Sequence, residues 1–178
     1  MNIKNNWNTS NSIPNDLLIA KKRVYDLLNF EATQPEPESE SMEYSAYRLQ
    51  LNTKLICYRE AKITPTKTGQ FVTLWKRNPS KIIASFDATD AIDYVIISVR
   101  KEDLLGQFIF PKSVLLERGI FSTNTKEGKR ATRVYPPWDE TTNKQAQKTQ
   151  QWQLNYFIEI PLHEAVDLDR FKRLFNEN

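Results

Sequence analysis

Between residues 44 and 110 the chain keeps returning to one pattern: YSAYRLQL (44–51), KLICYREAKI (54–63), QFVTLWKR (70–77), IDYVIISVR (92–100) and GQFIF (106–110). These segments are rich in β-branched and aromatic residues and are separated by polar, Pro- or Gly-containing links, the marks of strands and turns. Consecutive strands with short links pair as an antiparallel or mixed sheet. Asn52-Thr53 predicts the tightest hairpin turn, and TPTKTGQ (64–70) a loop that Pro65 stiffens and Gly69 frees. The most apolar segment, 92–100, belongs near the sheet centre.

Helical spacing brackets this run. Leu17, Ala20, Val24, Leu27 and Leu28 predict a helix from Ser12 or Asn15 to about Asn29, and Leu168, Phe171, Leu174 and Phe175 predict another over 167–176, with Asp167 as its N-cap. KSVLLERG reads as a short helix ended by Gly119, and RVY as a strand. Residues 141–152 have helical propensity but almost no apolar positions, so no broad buried face holds them. The Pro- and Glu-rich stretch after the first helix reads as an exposed connector. The expected fold is α+β, a mixed, largely antiparallel central sheet flanked by N- and C-terminal helices. Residues 13–178 form one domain behind a frayed tail, 1–12, as suits a chain of 178 residues.

Several functions are excluded by what the chain lacks. No run approaches the roughly 20 apolar residues of a membrane-spanning helix, so no membrane partner is expected. MNIKNNWNTSNSIPN lacks the apolar core of a secretory signal, which predicts a cytoplasmic protein. Cys57 and His163 are the sole residues of their kinds, too few for a zinc cluster, a haem site or a His-based triad. Cys57, within a strand, reads as a buried inert thiol.

Charge distribution says more than net charge. EATQPEPESESME (31–43) holds five glutamates and no base; taking those five out of a net charge of +3 leaves +8 on the rest. The positive charge gathers in three segments: Arg59, Lys62, Lys67, Lys76 and Arg77; then Lys129, Arg130 and Arg133, preceded by Lys126; then Lys144 and Lys148. On one shared face they would neutralise phosphates and release counterions, and Thr64 and Thr66 beside Lys67 add hydroxyl donors. Trp75 and Trp138 stand ready to stack on bases, although a strand tryptophan is more often core. Gln145, Gln147, Gln150 and Gln151 offer amides suited to adenine edges. Alternatively, the three runs are solvated faces pointing different ways. The partner expected is DNA or RNA, with no cofactor required for binding.

A second constellation is catalytic. A turn at Asn52-Thr53 sets opposite one another residues whose numbers sum to 105, so Glu43 faces Lys62 and Ser45 faces Glu60. Glu43 and Glu60 would then be candidate Mg²⁺ ligands, with Lys62 placed to position water or phosphate. Its alternative is an exposed cross-strand ion pair. Asp87, Asp90 and Asp93 are further acids, read more simply as a turn in DATDAID. Glu60-Ala61-Lys62 resembles the Glu-x-Lys element of PD-(D/E)XK nucleases, which implies a restriction-endonuclease-like fold and Mg²⁺-dependent cleavage. The upstream acid departs from that pattern, being Glu43 rather than Asp, with no Pro-Asp pair before it.

AKITPTKTGQFVTLWKR (61–77), GQFIFPKSVLLERGI (106–120), GKRATRVYPPWD (128–139) and QAQKTQQWQLNYF (145–157) resemble the MepB family of small bacterial proteins. The resemblance implies an intracellular bacterial protein and no particular activity. The family takes its name from a gene beside a multidrug efflux system, which raises a third reading: a small-molecule binder with Trp75, Trp138, Tyr135 and Phe110 as pocket walls. Oligomeric state is left open.

Overall fold

A computed structural model describes residues 6–10 and 12–176. The elements are α1 (Asn15–Ala20), β1 (Glu36–Pro37), β2 (Tyr47–Leu51), β3 (Lys54–Glu60), β4 (Lys62–Ile63), β5 (Gln70–Thr73), β6 (Trp75–Arg77), β7 (Ile83–Ser85), β8 (Tyr94–Lys101), β9 (Leu104–Pro111), α2 (Lys112–Glu117), β10 (Ala131–Val134), α3 (Lys144–Gln153), β11 (Phe157–Glu159) and α4 (Leu168–Asn176). The main sheet has the order β1-β2-β3-β8-β9-β11. Only β3 and β8 run parallel; the other neighbours are antiparallel. The fold is therefore α+β with a mixed, mostly antiparallel sheet. A parallel pair needs a long crossover, and residues 61–93 supply it by an excursion through two smaller sheets, β10-β5-β4 and β6-β7.

Strand periodicity splits the interior in two. Along β8, Tyr94 and Ile96 face a core shared with α1 and α4, whereas Val95, Ile97 and Val99 face a second core beneath β5, α2 and β10. Central position explains why the whole of residues 94–99 is buried. α1 continues as a π-helical turn, Lys21–Tyr25, and the chain leaves it at Asn29 with φ of +56°. Phe171, Leu174 and Phe175 of α4 close the first core, and the Asp167 carboxylate accepts from the Arg170 amide at 3.0 Å as the expected cap.

Three expectations are corrected. Residues 70–77 are not one strand: Leu74, buried, donates its amide to Arg130 O at 2.9 Å, and the chain passes from β5 to β6 in a different sheet. The described part of the N-terminal tail is not frayed, because Trp7 is buried in the first core and its Nε1 donates to Ala32 O at 3.2 Å; residues 1–5 and 11 lie outside the described residues. The acidic stretch is not a free connector. Glu36 and Pro37 pair with Arg48 and Tyr47 at the sheet edge, where a proline's missing N–H does no harm. Glu38 accepts from Arg48 Nε at 2.7 Å and from Arg59, and Glu40 from Arg77 Nε at 3.0 Å.

Candidate functional site

The small β10-β5-β4 sheet presents one face to the core and one outward. Gln70, Val72 and Val134 point inward and are buried. By alternation Phe71 and Arg133 point outward, and the register places Lys62, Phe71 and Arg133 side by side across the three strands. The Arg133 guanidinium lies 5.7 Å from the centre of the Phe71 ring. Tyr44 meets Phe71 edge-on at 6.0 Å, and Lys62 Nζ lies 5.1 Å from the Tyr44 ring. Arg133 is held in place: Nη2 donates to Thr64 Oγ1 at 2.9 Å and Nη1 to Gly69 O at 3.3 Å.

α3 lies beside this face. It lacks a broad apolar stripe, and amides hold it instead. Buried Gln153 accepts from the Tyr135 amide at 2.9 Å and donates to Arg133 O at 2.9 Å. Gln150 donates to Pro136 O and to Asp139 O, each at 2.9 Å. These clasps set the N-terminal turn of α3, capped by Asn143 accepting from the Ala146 amide at 2.8 Å, against the small sheet. Between them runs a groove of about 440 Å³. Its cations are Lys67, Lys129 and Arg133, its rings Phe71 and Tyr135, and no carboxylate lines it. The positive end of the α3 dipole adds to that field.

Thus part of the expected basic surface comes together and part does not. Lys67, Lys129 and Arg133 converge, and Lys144 is flanked by the groove residues Asn143 and Gln145. Arg130 and Lys148 are exposed nearby in sequence but line no part of it. Lys62 sits on the same outward face. Thr64 is engaged by Arg133, and Thr66 opens with Lys67 onto an adjoining concavity that also contains Asp139 and Glu140.

Arg59 is a correction. It is wholly buried, donating to Thr73 O and Tyr58 O at 3.2 and 2.9 Å and paired with Glu38, because β3 is covered on both faces. Lys76 is already neutralised by Asp87 and Asp90 at 2.8 and 2.7 Å, and Arg77 by Glu40. Trp75 lies under Arg77, and Trp138 packs edge-on against Phe157 at 5.7 Å. Phe110 is buried in the second core, and Trp75, Trp138 and Tyr135 line separate concavities. The four do not wall one pocket.

The hairpin register is the one whose residue numbers sum to 105, from Tyr47↔Tyr58 to Leu51↔Lys54. Ser45 Oγ also reaches Glu60 Oε2, at 2.8 Å. The ladder itself ends at Tyr47↔Tyr58, and beyond it Ser45 takes a left-handed conformation (φ +49°) and Glu43 sits exposed in a 3₁₀ turn. Beyond Glu60 the chain changes sheets at Ala61. No ion pair joins Glu43 and Lys62 among the described residues. Glu60 belongs to the first core's polar chain: it accepts from Tyr58 OH at 3.1 Å, Tyr58 meets Ser98 at 2.7 Å, Gln107 donates to Ser98 at 3.1 Å and Tyr25 to Gln107 at 3.1 Å. Burial raises the Glu60 pKa, and the charge of Asp16 adds to the rise against the hydrogen bonds from Ser45 and Tyr58. Among the described residues no group of three or more His, Cys, Asp or Glu side chains is arranged to hold a metal ion. The strand pairing does not carry Glu43 to a position opposite Lys62, the register on which the expected Mg²⁺ site at Glu43 and Glu60 depended.

Fold and site together define an α+β protein with a cationic, acid-free groove between a secondary sheet and an amide-clasped helix. Residues 38–159 match the MepB-like family, and the chain belongs to it. A solved structure, the crystal structure of MepB, is 35% identical with a TM-score of 0.71, covering 75% of this chain and 88% of that one. A bacterial homing endonuclease, I-Ssp6803I, is 10% identical with a TM-score of 0.49, covering 82% and 91%, a degree of likeness that assigns no activity. No curated protein matches the chain. No described helix is long and apolar enough to cross a membrane.

Proposed function

We propose that this protein binds nucleic acid through its phosphates, in the groove between the β10-β5-β4 sheet and α3. The observation that carries the reading is the lining: Lys67 from a loop, Lys129 from the approach to β10 and Arg133 from β10 itself, with no acid among them. Arg59, Arg77 and Lys76, which the sequence places in the same basic run as Lys67, are by contrast neutralised by Glu38, Glu40, Asp87 and Asp90. Cations left unpaired in a concavity lose little by desolvation when a polyanion replaces their counterions. Binding requires no metal, and the proposal includes no bond-breaking step. A cytoplasmic location goes with such a partner.

The test is titration of labelled DNA and RNA over a range of salt. Neutralising about four phosphates gives a slope of log K against log salt of about −3 to −4. Lys67→Ala and Lys129→Ala each reduce that slope by about 1, whereas Lys172→Ala, on α4 beside the other core, leaves it unchanged. Absence of binding to either polymer at low salt refutes the reading.

A further inference from the structure

Resting on that reading, we infer that the groove takes an unpaired strand, with bases laid on Tyr135 and Phe71 and the flanking phosphates on Lys67, Lys129, Arg133 and Lys62. Cations alone do not discriminate between a duplex and a single strand. Aromatic rings do, because a duplex hides the faces of its bases and an unpaired strand offers them.

The rings stand outside the buried core. The inward face of the small sheet already fills the second core with Val72 and Val134. Phe71 and Tyr135 are on the outward side, half-buried, and both line the cationic groove. Tyr135 lies two residues beyond Arg133, so alternation keeps it on that face. Its ring rests against Gly69, where an added Cβ would sit 2.6 Å from Cε1. The ring thus occupies space that only glycine at 69 leaves open, while Tyr135 also lines the groove. The Tyr135 hydroxyl makes no hydrogen bond with the described residues.

The cations are spaced to match. Phe71 pairs with Lys62 on one neighbouring strand and with Arg133 on the other, so the three side chains stand in one row on the outward face and a base beside Phe71 has cationic residues on both flanking strands for its phosphates. The Arg133 guanidinium lies 5.7 Å from the centre of the Phe71 ring, and its own plane is a further surface on which a base can lie. Gln145 and Thr149 of α3 line the same groove, and their side chains carry an amide and a hydroxyl that can hydrogen-bond the exposed base edges of an unpaired strand. These contacts read bases weakly, so the expected ligand is a single strand of mixed sequence.

The experiment measures binding of fluorescently labelled single-stranded DNA, single-stranded RNA and blunt duplex of equal length at one salt concentration. At least one single-stranded form should bind about tenfold more tightly than the duplex, and the DNA and RNA arms identify which. Tyr135→Leu and Phe71→Leu keep apolar volume but remove the π-face, and each should weaken single-strand binding about tenfold. Tyr135→Phe should retain it, and the thermal transition checks that each variant is folded. Equal or tighter duplex binding, or leucine variants that bind single strands as the parent does, overturns the inference while phosphate recognition stands. If nothing binds in any arm, phosphate recognition fails and this inference fails with it.

Discussion

The Glu38 carboxylate closes on Arg59, whose guanidinium is sealed from solvent between β3 and β5. An acidic segment that reads as a loose strap is thus the counter-charge of a buried base. Removing one partner of such a pair strands the other in low dielectric, which costs about 3 kcal/mol even with Glu38 partly open to water. Glu38→Gln should lower the urea midpoint accordingly. Combining it with Arg59→Met should recover most of the loss; an unchanged midpoint in the single variant would mean the strap merely lies on the surface.

Two carboxylates should move stability in opposite directions with pH. Burial raises the Glu60 pKa, so the folded state holds its proton more tightly than the unfolded chain, and its contribution falls as pH rises through the folded value. Lys76, by its hydrogen bond, lowers the Asp87 pKa to about 2, so that contribution is present above the unfolded value of about 3.9 and is lost as pH falls towards 2. Glu60→Gln should therefore gain on the parent as pH rises above the unfolded carboxyl value of about 4.3. Asp87→Asn should lose at neutral pH by at most about 1 kcal/mol, given its exposure, and match the parent in strong acid. Thermal melts across this range check both signs.

Gln153 is worth more than a surface amide. It satisfies the Tyr135 amide and the Arg133 carbonyl at once, and Gln153→Ala leaves both without that partner, at a cost of about 2 kcal/mol. Because the same clasp sets α3 against the small sheet, nucleic-acid affinity should drop along with stability. Gln151→Ala, on the exposed side of the helix, should change neither; parallel denaturation and binding titrations separate the two.

How much of this was legible follows from the range over which each signal acts. The Asn52-Thr53 turn fixes the β2–β3 register locally, so Ser45 meets Glu60 as its sequence position requires. Glu43 fails because the ladder ends at Tyr47, and the left-handed backbone at Ser45 beyond it is invisible to a period-2 count. Arg59 reads as a surface base because nothing in KLICYRE says that β8 will pair alongside and that β5 will cover it. The Lys62–Phe71–Arg133 row needs the pairing of β10 with β5, whose partners lie about sixty residues apart in sequence. Helix α3 is readable from propensity, yet Gln150 and Gln153, which hold it, read as solvent-facing amides until the carbonyls of 133–139 are placed beside them. Charge was visible throughout; which charges were already spoken for was not.

Gly69 joins the backbone to the proposed stacking platform. Its φ of +82° favours glycine, and Tyr135 Cε1 and Cδ1 occupy the space a Cβ would need, at 2.6 and 2.7 Å. Gly69→Ala therefore meets two penalties, a strained backbone of about 1 kcal/mol and displacement of the Tyr135 ring. The second should appear in binding rather than folding. Tyr135→Ala relieves the clash, so the double variant should regain stability over Gly69→Ala alone while binding single strands no better than Tyr135→Ala. A double variant no more stable than Gly69→Ala alone would show that backbone strain accounts for the whole effect and that the ring does not rest on this residue.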